Sequence, residues 1–457
     1  MKNLDSENFE KIIKRYQSNP FMYVEYPHKR YWNKNLKNEI DLKNYFIESL
    51  KKHNDKKYLL YVHIPHCHTQ CLYCTCHVEI TKDYSRVKRF LNYLYKELDL
   101  LDEIFKETGL KPNFTDVHLG GGSPTYPKKE DFDILIEKLS KFVDLSKLNE
   151  FSIEIDPRRV KEEKIEYYHS KGINRISLGV QEFDTEVQKL INRVQPDKLI
   201  DRILTPKIRE LFKHGINFDI ICGLPGQNLN NFEKTVKKII DFNPDRICLN
   251  YMHLSTKFHP HQLRMPKDKI PGEKLRKELF TLATEMLEKN NYARAGYDHF
   301  VSKDDKLYDE LKSNKLKWNR LGIVTGNYEN IIGTGVSSVG KIEGDFYYQN
   351  TFENDEYEKM LSKNLLPISN FHVMSKDDQI REEIIQSLRT YFLLDVKAIE
   401  KKFSINFFDQ FKNTIEKLRI YEKENMLKIQ EDQIEVINSG TQFANLMASE
   451  FDTYIPR

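Results

Sequence analysis

The chain has 457 residues, 39% hydrophobic and 31% charged, with 72 Lys and Arg against 69 Asp and Glu. That length fits one large domain with an accessory one, or two to three domains, with enough apolar content for a sizeable core. The near-balanced, interspersed charge excludes a general nucleic-acid surface. The amphipathic start MKNLDSENFEKIIKRYQ has no signal core, and no apolar run approaches the ~20 residues of a membrane span. A cytoplasmic protein is expected.

Residues 1–55 read as an arm: a short helical start, then an aromatic run at 19–32, NPFMYVEYPHKRYW. Tyr23, Tyr26, Tyr31 and Trp32 interleave there with Glu25, His28, Lys29 and Arg30. Such a run suits a flap over a flat, acidic substrate, and equally an arm packed on the main domain.

A β-favouring segment at 58–64 then opens into a loop holding Cys67, Cys71, Cys74 and Cys76, four of the six cysteines. The first three follow C-x3-C-x2-C. A disulfide framework does not suit so large a chain with two other cysteines. Structural zinc wants a second ligand pair, and Cys222 and Cys248 stand alone. Soft thiolates suit an iron–sulfur cluster, and three of them leave one iron of a four-iron cluster open. Zinc and inert thiols are the alternatives. Tyr73, just before the third cysteine, either faces a ligand or packs under the loop.

From 56 to 300 strand and helix alternate. Strands are expected at 58–64, 115–120, 151–156, 175–180, 217–222 and 246–252, with helices at 82–107, 129–143, 160–171, 198–214, 229–241 and 272–289. Six such units imply an α/β fold, a parallel sheet curled into a partial (β/α)6 barrel, with chemistry at the carboxyl ends of the strands. The cysteine loop follows the first strand. Gly120, Gly121, Gly122 and Ser123 follow the second, in a run too short for a dinucleotide fingerprint. Alternation puts Ser152, Glu154 and Asp156 on one face of the third. A carboxylate facing a barrel interior is costly unless it binds something, so Glu154 either holds a ligand or pairs with Arg175 or Arg193. Gln181, Arg193 and Asp219 are further polar groups at strand ends. Cys222 and Cys248 read as buried, inert thiols. After the sixth strand comes a basic loop with Lys257, His259, His261, Arg264 and Lys267. It suits either an anionic substrate or plain solvation. Residues 301–369 look like an irregular, glycine-punctuated extension of the barrel. Residues 370–457 read as a mostly helical accessory domain, winged-helix-like, with a hairpin near 427–436.

C-x3-C-x2-C after a strand resembles the radical S-adenosylmethionine (SAM) superfamily. Along its length the chain is similar to the oxygen-independent coproporphyrinogen III oxidases, also called coproporphyrinogen dehydrogenases. The resemblance is carried by YVHIPHCHTQCLYCTCHVEIT, HLGGGSPTY, SIEIDPR, ISLGVQEFDTEVQKLINR, ICGLPGQ, GYDHF and the terminal FDTY. It implies that Cys67, Cys71 and Cys74 hold a [4Fe–4S] cluster whose free iron chelates SAM. Tyr61, Tyr73, Gly121, Gly122, Ser123, Glu154, Gln181, Arg193 and Asp219 match positions that bind SAM in the family. Met252 and Val339 match positions around a second SAM. Cys76 matches a catalytic thiol. It implies oxidative decarboxylation of a porphyrinogen propionate to a vinyl group through a 5′-deoxyadenosyl radical, fed by a flavodoxin or ferredoxin, in a monomer. The chain departs from well-known members at Thr75, where they carry Gly, and around the second cofactor at Leu249, Met252, Arg320, Leu321, Gly326 and Val339. That pattern raises the alternative of a same-architecture enzyme acting on another tetrapyrrole or transferring a methyl group. A haem chaperone fits less well, because its H-N-x-x-Y-W motif is missing.

Overall fold

Strict two-residue alternation decides the architecture. In the computed structural model, which describes residues 11, 12, 14, 25–33, 41–319, 321–325 and 327–455, the six expected strands all form. They are β1 (Lys57–Ile64), β2 (Asn113–Gly121), β3 (Glu150–Ile155), β4 (Arg175–Gln181), β5 (Ile216–Cys222) and β6 (Arg246–Tyr251). They lie side by side in sequence order, all parallel. Helices connect them, as parallel pairing requires.

One face of this sheet is apolar. Leu60, Val62, Val117, Leu119, Ile153, Ile176, Phe218 and Ile247 are all buried there. The opposite face is polar from edge to edge. Register aligns Tyr61, His118, Ser152 and Arg175 in one row, and Glu154, Ser177, Asn217 and Arg246 in the next. At the amino end of that face Glu150 accepts from Arg175 Nη1 at 2.9 Å and Arg246 Nη1 at 3.1 Å. Burial alone would raise the Glu150 carboxyl. The two guanidiniums more than reverse this and hold it at about 2.

The chain splits into two compact units. One is Asn33–Pro271 with Asn327–Val373, and it contains this sheet; the other is Met1–Trp32, Gly272–Gly326 and Met374–Arg457. In the first unit the stretch read as irregular is regular at its end. Asn330–Thr334 (β7) pairs parallel with β1 on the side away from β2, and Val339–Ile342 (β8), Phe346–Asn350 (β9) and Ile368–Val373 (β10) continue antiparallel. The expected helix over 198–214 breaks in two, Lys198–Ile203 and Pro206–Leu211. Pro206 cannot sit inside a helix, and the Thr205 hydroxyl, accepting from Ile208 N, starts the second piece.

The second unit holds the hairpin Tyr292–Ala295 with His299–Ser302, the helix Lys376–Thr390, and a small antiparallel sheet of Leu393–Asp395, Leu427–Ile429 and Gln433–Val436. Among the arm's described residues, Tyr26 and Trp32 are buried. Tyr31 stacks on Tyr454 at 5.8 Å, and Tyr26 meets the same ring edge-on at 6.0 Å. This part of the arm packs on Tyr454 of its own unit, where one reading expects the main domain; Tyr23 lies outside the described residues.

Glu97, in the helix Tyr84–Thr108, ties the first unit together. Buried, it accepts from Tyr357 Oη at 2.5 Å, Gly335 N at 2.7 Å and Asn350 Nδ2 at 2.7 Å. Burial pushes its carboxyl up to about 7 in spite of these donors. The folded state therefore binds a proton that the unfolded chain has already released between about pH 4.5 and 7, and stability falls as pH rises across that window. The whole effect is about 3 kcal/mol at most. Glu97→Gln is expected to flatten that slope, read as urea midpoints at about pH 5 and 8.

Candidate active site

The carboxyl ends of β1 to β6 gather the residues that carry chemistry. Beyond β1 the loop is fastened at several points. Leu72 N donates to Ile191 O at 2.9 Å, and Asn192 Nδ2 donates to Gln70 O at 2.8 Å. Leu72 is buried with Val187, Ile191, Ile221, Leu224, Met252 and Met265, and Tyr73 packs against that cluster. Cys71 is buried, Cys67 and Cys74 are half-buried and Cys76 is exposed. Burial pushes the Cys67 thiol up to about 12, with the neighbouring Cys76 and Cys71 adding to it, so a metal there must displace its proton. Among the described residues no three His, Cys, Asp or Glu side chains come close enough to share one metal ion. The three thiols share a loop without reaching single-ion distance.

Two guanidiniums face Cys71. Arg158 Nη2 lies 3.6 Å and Arg193 Nη1 3.5 Å from its Sγ. Asp156 holds both, at 2.8 Å from Arg158 Nη2 and 3.5 Å from Arg193 Nη2. Arg193 also donates to Gly179 O at 2.5 Å. Its buried Nε has no hydrogen-bond partner, a group that suits an incoming anion. A bulge at the end of β4 brings Gln181 here with a left-handed φ of 69°. A Cβ on Gly179 would come within 2.9 Å of Gln181 Nε2 and 3.1 Å of Arg193 Nη2, so a larger residue there would push these two side-chain ends aside.

Gly121, with φ +117°, closes over β1; a Cβ there would lie 2.9 Å from Ile64 O and from the His63 ring. Gly122 N donates to Ile64 O at 2.9 Å, and Ser123 is buried with its hydroxyl 3.2 Å from that of Thr125. Glu154 pairs with neither expected arginine, since Arg175 goes to Glu150 and Arg193 to Asp156. Its Oε2 accepts from Gly121 N at 3.1 Å, and its Oε1 accepts from His118 Nε2 at 3.2 Å. His118 Nδ1 lies 2.6 Å from the Ser152 hydroxyl, which also donates to Val117 O at 3.4 Å. Tyr61 stacks on His118 at 5.8 Å. Asp219 accepts from Ser177 Oγ at 2.8 Å and Asn217 Nδ2 at 2.9 Å. Burial, with Glu154 nearby, pushes the Asp219 carboxyl up.

The whole chain is similar to proteins of one activity. A sequence profile of the radical SAM superfamily matches residues 61–239. The oxygen-independent coproporphyrinogen III oxidase of Helicobacter pylori (strain ATCC 700392 / 26695) is 34% identical over 98% of this chain and 97% of its own length. The chain belongs to the oxygen-independent coproporphyrinogen III oxidase family. The Escherichia coli (strain K12) protein of the same name is 29% identical over 97% of the chain and 95% of its own length. The solved structure of the Escherichia coli coproporphyrinogen III oxidase, described as a radical SAM enzyme, superposes with TM-score 0.87 at 28% identity, over 95% of this chain and 97% of that one. Membership of this oxidase family makes the chain a radical SAM oxidoreductase, and the superfamily implies a [4Fe–4S] cluster and SAM.

In this member of the family, Tyr61, Glu154, Gln181 and Asp219 lie on the polar face or its strand ends, Gly121, Gly122 and Ser123 at the end of β2, Tyr73 in the cysteine loop itself and Arg193 beyond the helix Thr185–Leu190. Leu249 and Met252 are buried, Met252 within the apolar cluster under the loop. Val339 is buried at the start of β8. Leu321 is half-buried in the other unit, while Arg320 and Gly326 lie outside the described residues. Cys222 is fully buried as expected, but Cys248 is only half-buried, because register aligns it with Asp219 on the polar face. His118 was not singled out from the sequence. Its signal was available: Asp116 and His118 alternate with apolar residues up to the glycine run.

Proposed function

We propose that this protein converts propionate side chains of coproporphyrinogen III to vinyl groups, giving protoporphyrinogen IX after two rounds, by oxygen-independent radical SAM chemistry. The observation that carries this reading is kinship from end to end with enzymes of that name, with the cysteine loop standing at the carboxyl end of β1. Cys67, Cys71 and Cys74 hold the [4Fe–4S] cluster; three soft thiolates suit it. When bound, the cluster and SAM would supply one-electron radical chemistry. The chain supplies position and charge. Glu154, its oxygens fixed by His118 and Gly121 N, meets the amino or ribose end of SAM. Arg193 offers its unpartnered Nε to an anionic group. Tyr61, Tyr73, Gly121, Gly122, Ser123, Gln181 and Asp219 complete that site. Met252 and Val339 border a second SAM. The donor is a flavodoxin or ferredoxin, and the enzyme works as a cytoplasmic monomer.

The test is anaerobic reconstitution with iron and sulfide, then SAM, reductant and coproporphyrinogen III. Vinyl products with matching deoxyadenosine are expected. Deoxyadenosine with no vinyl product would transfer the activity to another substrate or to methyl transfer. Stoichiometric haem binding with no deoxyadenosine would make it a chaperone.

Cys76 is exposed and within electrostatic reach of Cys67, so its thiol can face substrate without holding iron. Cys76→Ser is expected to keep iron content and SAM binding while vinyl formation falls about a hundredfold, the scale of one lost proton-handling group. Turnover equal to the wild type would remove Cys76 from the reaction.

A further inference from the structure

The reading above needs an electron from outside the chain, and one surface segment stands beside the cysteine loop. Residues 253–269 leave β6 and turn over the cysteine loop. They are anchored on backbone atoms: His261 Nε2 donates to Cys74 O at 2.8 Å, and Gln262 Nε2 donates to Tyr73 O at 3.2 Å. Met265 is buried against the same apolar cluster as Leu72. With its inner side fixed this way, the segment turns three large apolar side chains outward. Leu254 is 40% exposed, Phe258 73% and Leu263 53%. Lys257, Arg264, Lys267 and Lys269 are exposed around them, against one acid, Asp268. The whole 457-residue chain carries a net charge of only +3, so four cations against one acid is a marked local concentration. Across the cysteine loop, the exposed Arg159 adds a further cation, its Nη2 donating to Thr69 Oγ1 at 3.4 Å.

We propose that the 253–269 segment is the docking surface for an acidic one-electron carrier protein of the flavodoxin or ferredoxin class. The inference rests on the reading of Cys67, Cys71 and Cys74 as cluster ligands. An apolar centre with a charged rim is the anatomy of a protein interface. Cations on the rim steer an acidic partner and exclude basic ones. The segment bonds to backbone carbonyls of Tyr73 and Cys74, so a carrier seated on it lies beside the cysteine loop. The transfer balances simply: the reduced carrier loses one electron, the cluster gains it, and no atom moves. A tetrapyrrole with propionates would also use the cations and the apolar side chains, and its KM under dithionite separates it from a carrier protein.

The experiment uses the full-length, cluster-loaded protein and a reduced acidic flavodoxin. Cluster reduction is followed anaerobically at low and high salt, and flavodoxin binding is measured separately by calorimetry. The wild-type rate should fall steeply with salt. Lys257→Glu with Arg264→Glu and Lys267→Glu should lower the low-salt rate by about tenfold or more. Phe258→Ser with Leu263→Ser should weaken flavodoxin binding about tenfold. Lys213→Glu, exposed at the amino end of β5, should do neither. Dithionite-driven deoxyadenosine formation should be unchanged in all variants. A salt-independent wild-type rate, or equal rates in wild-type and charge-reversed proteins, overturns the docking surface. So does a raised KM for the tetrapyrrole under dithionite with normal flavodoxin rates, which assigns the segment to substrate. If the wild-type protein forms no cluster, the cluster reading fails, and calorimetry alone decides whether these residues bind flavodoxin.

Discussion

Serine in place of Cys71 is expected to yield a folded, colourless protein that makes no deoxyadenosine. Besides the thiol's contacts with Arg158 and Arg193, the loop around Cys71 is held through the Leu72 amide and the Gln70 carbonyl, so the backbone stays where it is. Arg158 and Arg193 keep Asp156 as their counter-charge. What is lost is one of the three soft ligands. Replacing a group that merely orients a ligand already costs about 10- to 100-fold in metal affinity. Removing a ligand itself should take iron and sulfide content to background and SAM cleavage below detection. The unfolding midpoint of the apo-protein should move by no more than about 0.5 kcal/mol. A brown Cys71→Ser protein that still cleaves SAM would mean that the thiols serve something other than a cluster.

Arg193→Met should damage both stability and cofactor binding. Burial alone would raise the Asp156 carboxyl, and Arg193 and Arg158 together hold it well below the usual carboxylate range. That stabilisation is present above the ordinary carboxylate pKa and fades as pH falls through the depressed one. Methionine fills much of the same space without charge and leaves Asp156 with Arg158 alone. Breaking one partner of a buried ion pair costs about 3–5 kcal/mol, and the surviving arginine places this case near the lower end. Acid unfolding should begin at a higher pH than in the wild type. On the cofactor side, a charge-assisted hydrogen bond contributes about 1.5–3 kcal/mol. SAM should therefore bind roughly 10- to 150-fold more weakly by calorimetry. Wild-type affinity in the variant would show that Arg193 serves Asp156 and the loop alone.

Much of the architecture could be read in advance because it is written in local patterns. Strand segments alternating with helical ones along the chain marked all six parallel strands, and the cysteine and glycine runs followed the first two of them. β7 was not legible. Its residues, Asn330–Thr334, are buried throughout, but their glycine and short apolar run make sense only beside β1, far back in the chain. The partner of Glu154 was not legible either. Alternation gave its face correctly but not which cation each carboxylate takes. Register decides that, by setting Glu150 between Arg175 and Arg246 and leaving Glu154 to His118. The split at Pro206 could have been read; the proline was in plain view within an otherwise helical pattern.

The clasp on the cysteine loop has an evolutionary corollary. His261 and Gln262 grip the main chain at residues 73 and 74 and ask nothing of the side chains around them. The side chain at Thr75 can then be replaced without shifting the thiols on either side of it. Diversity in this short stretch can accumulate while the metal chemistry stays put.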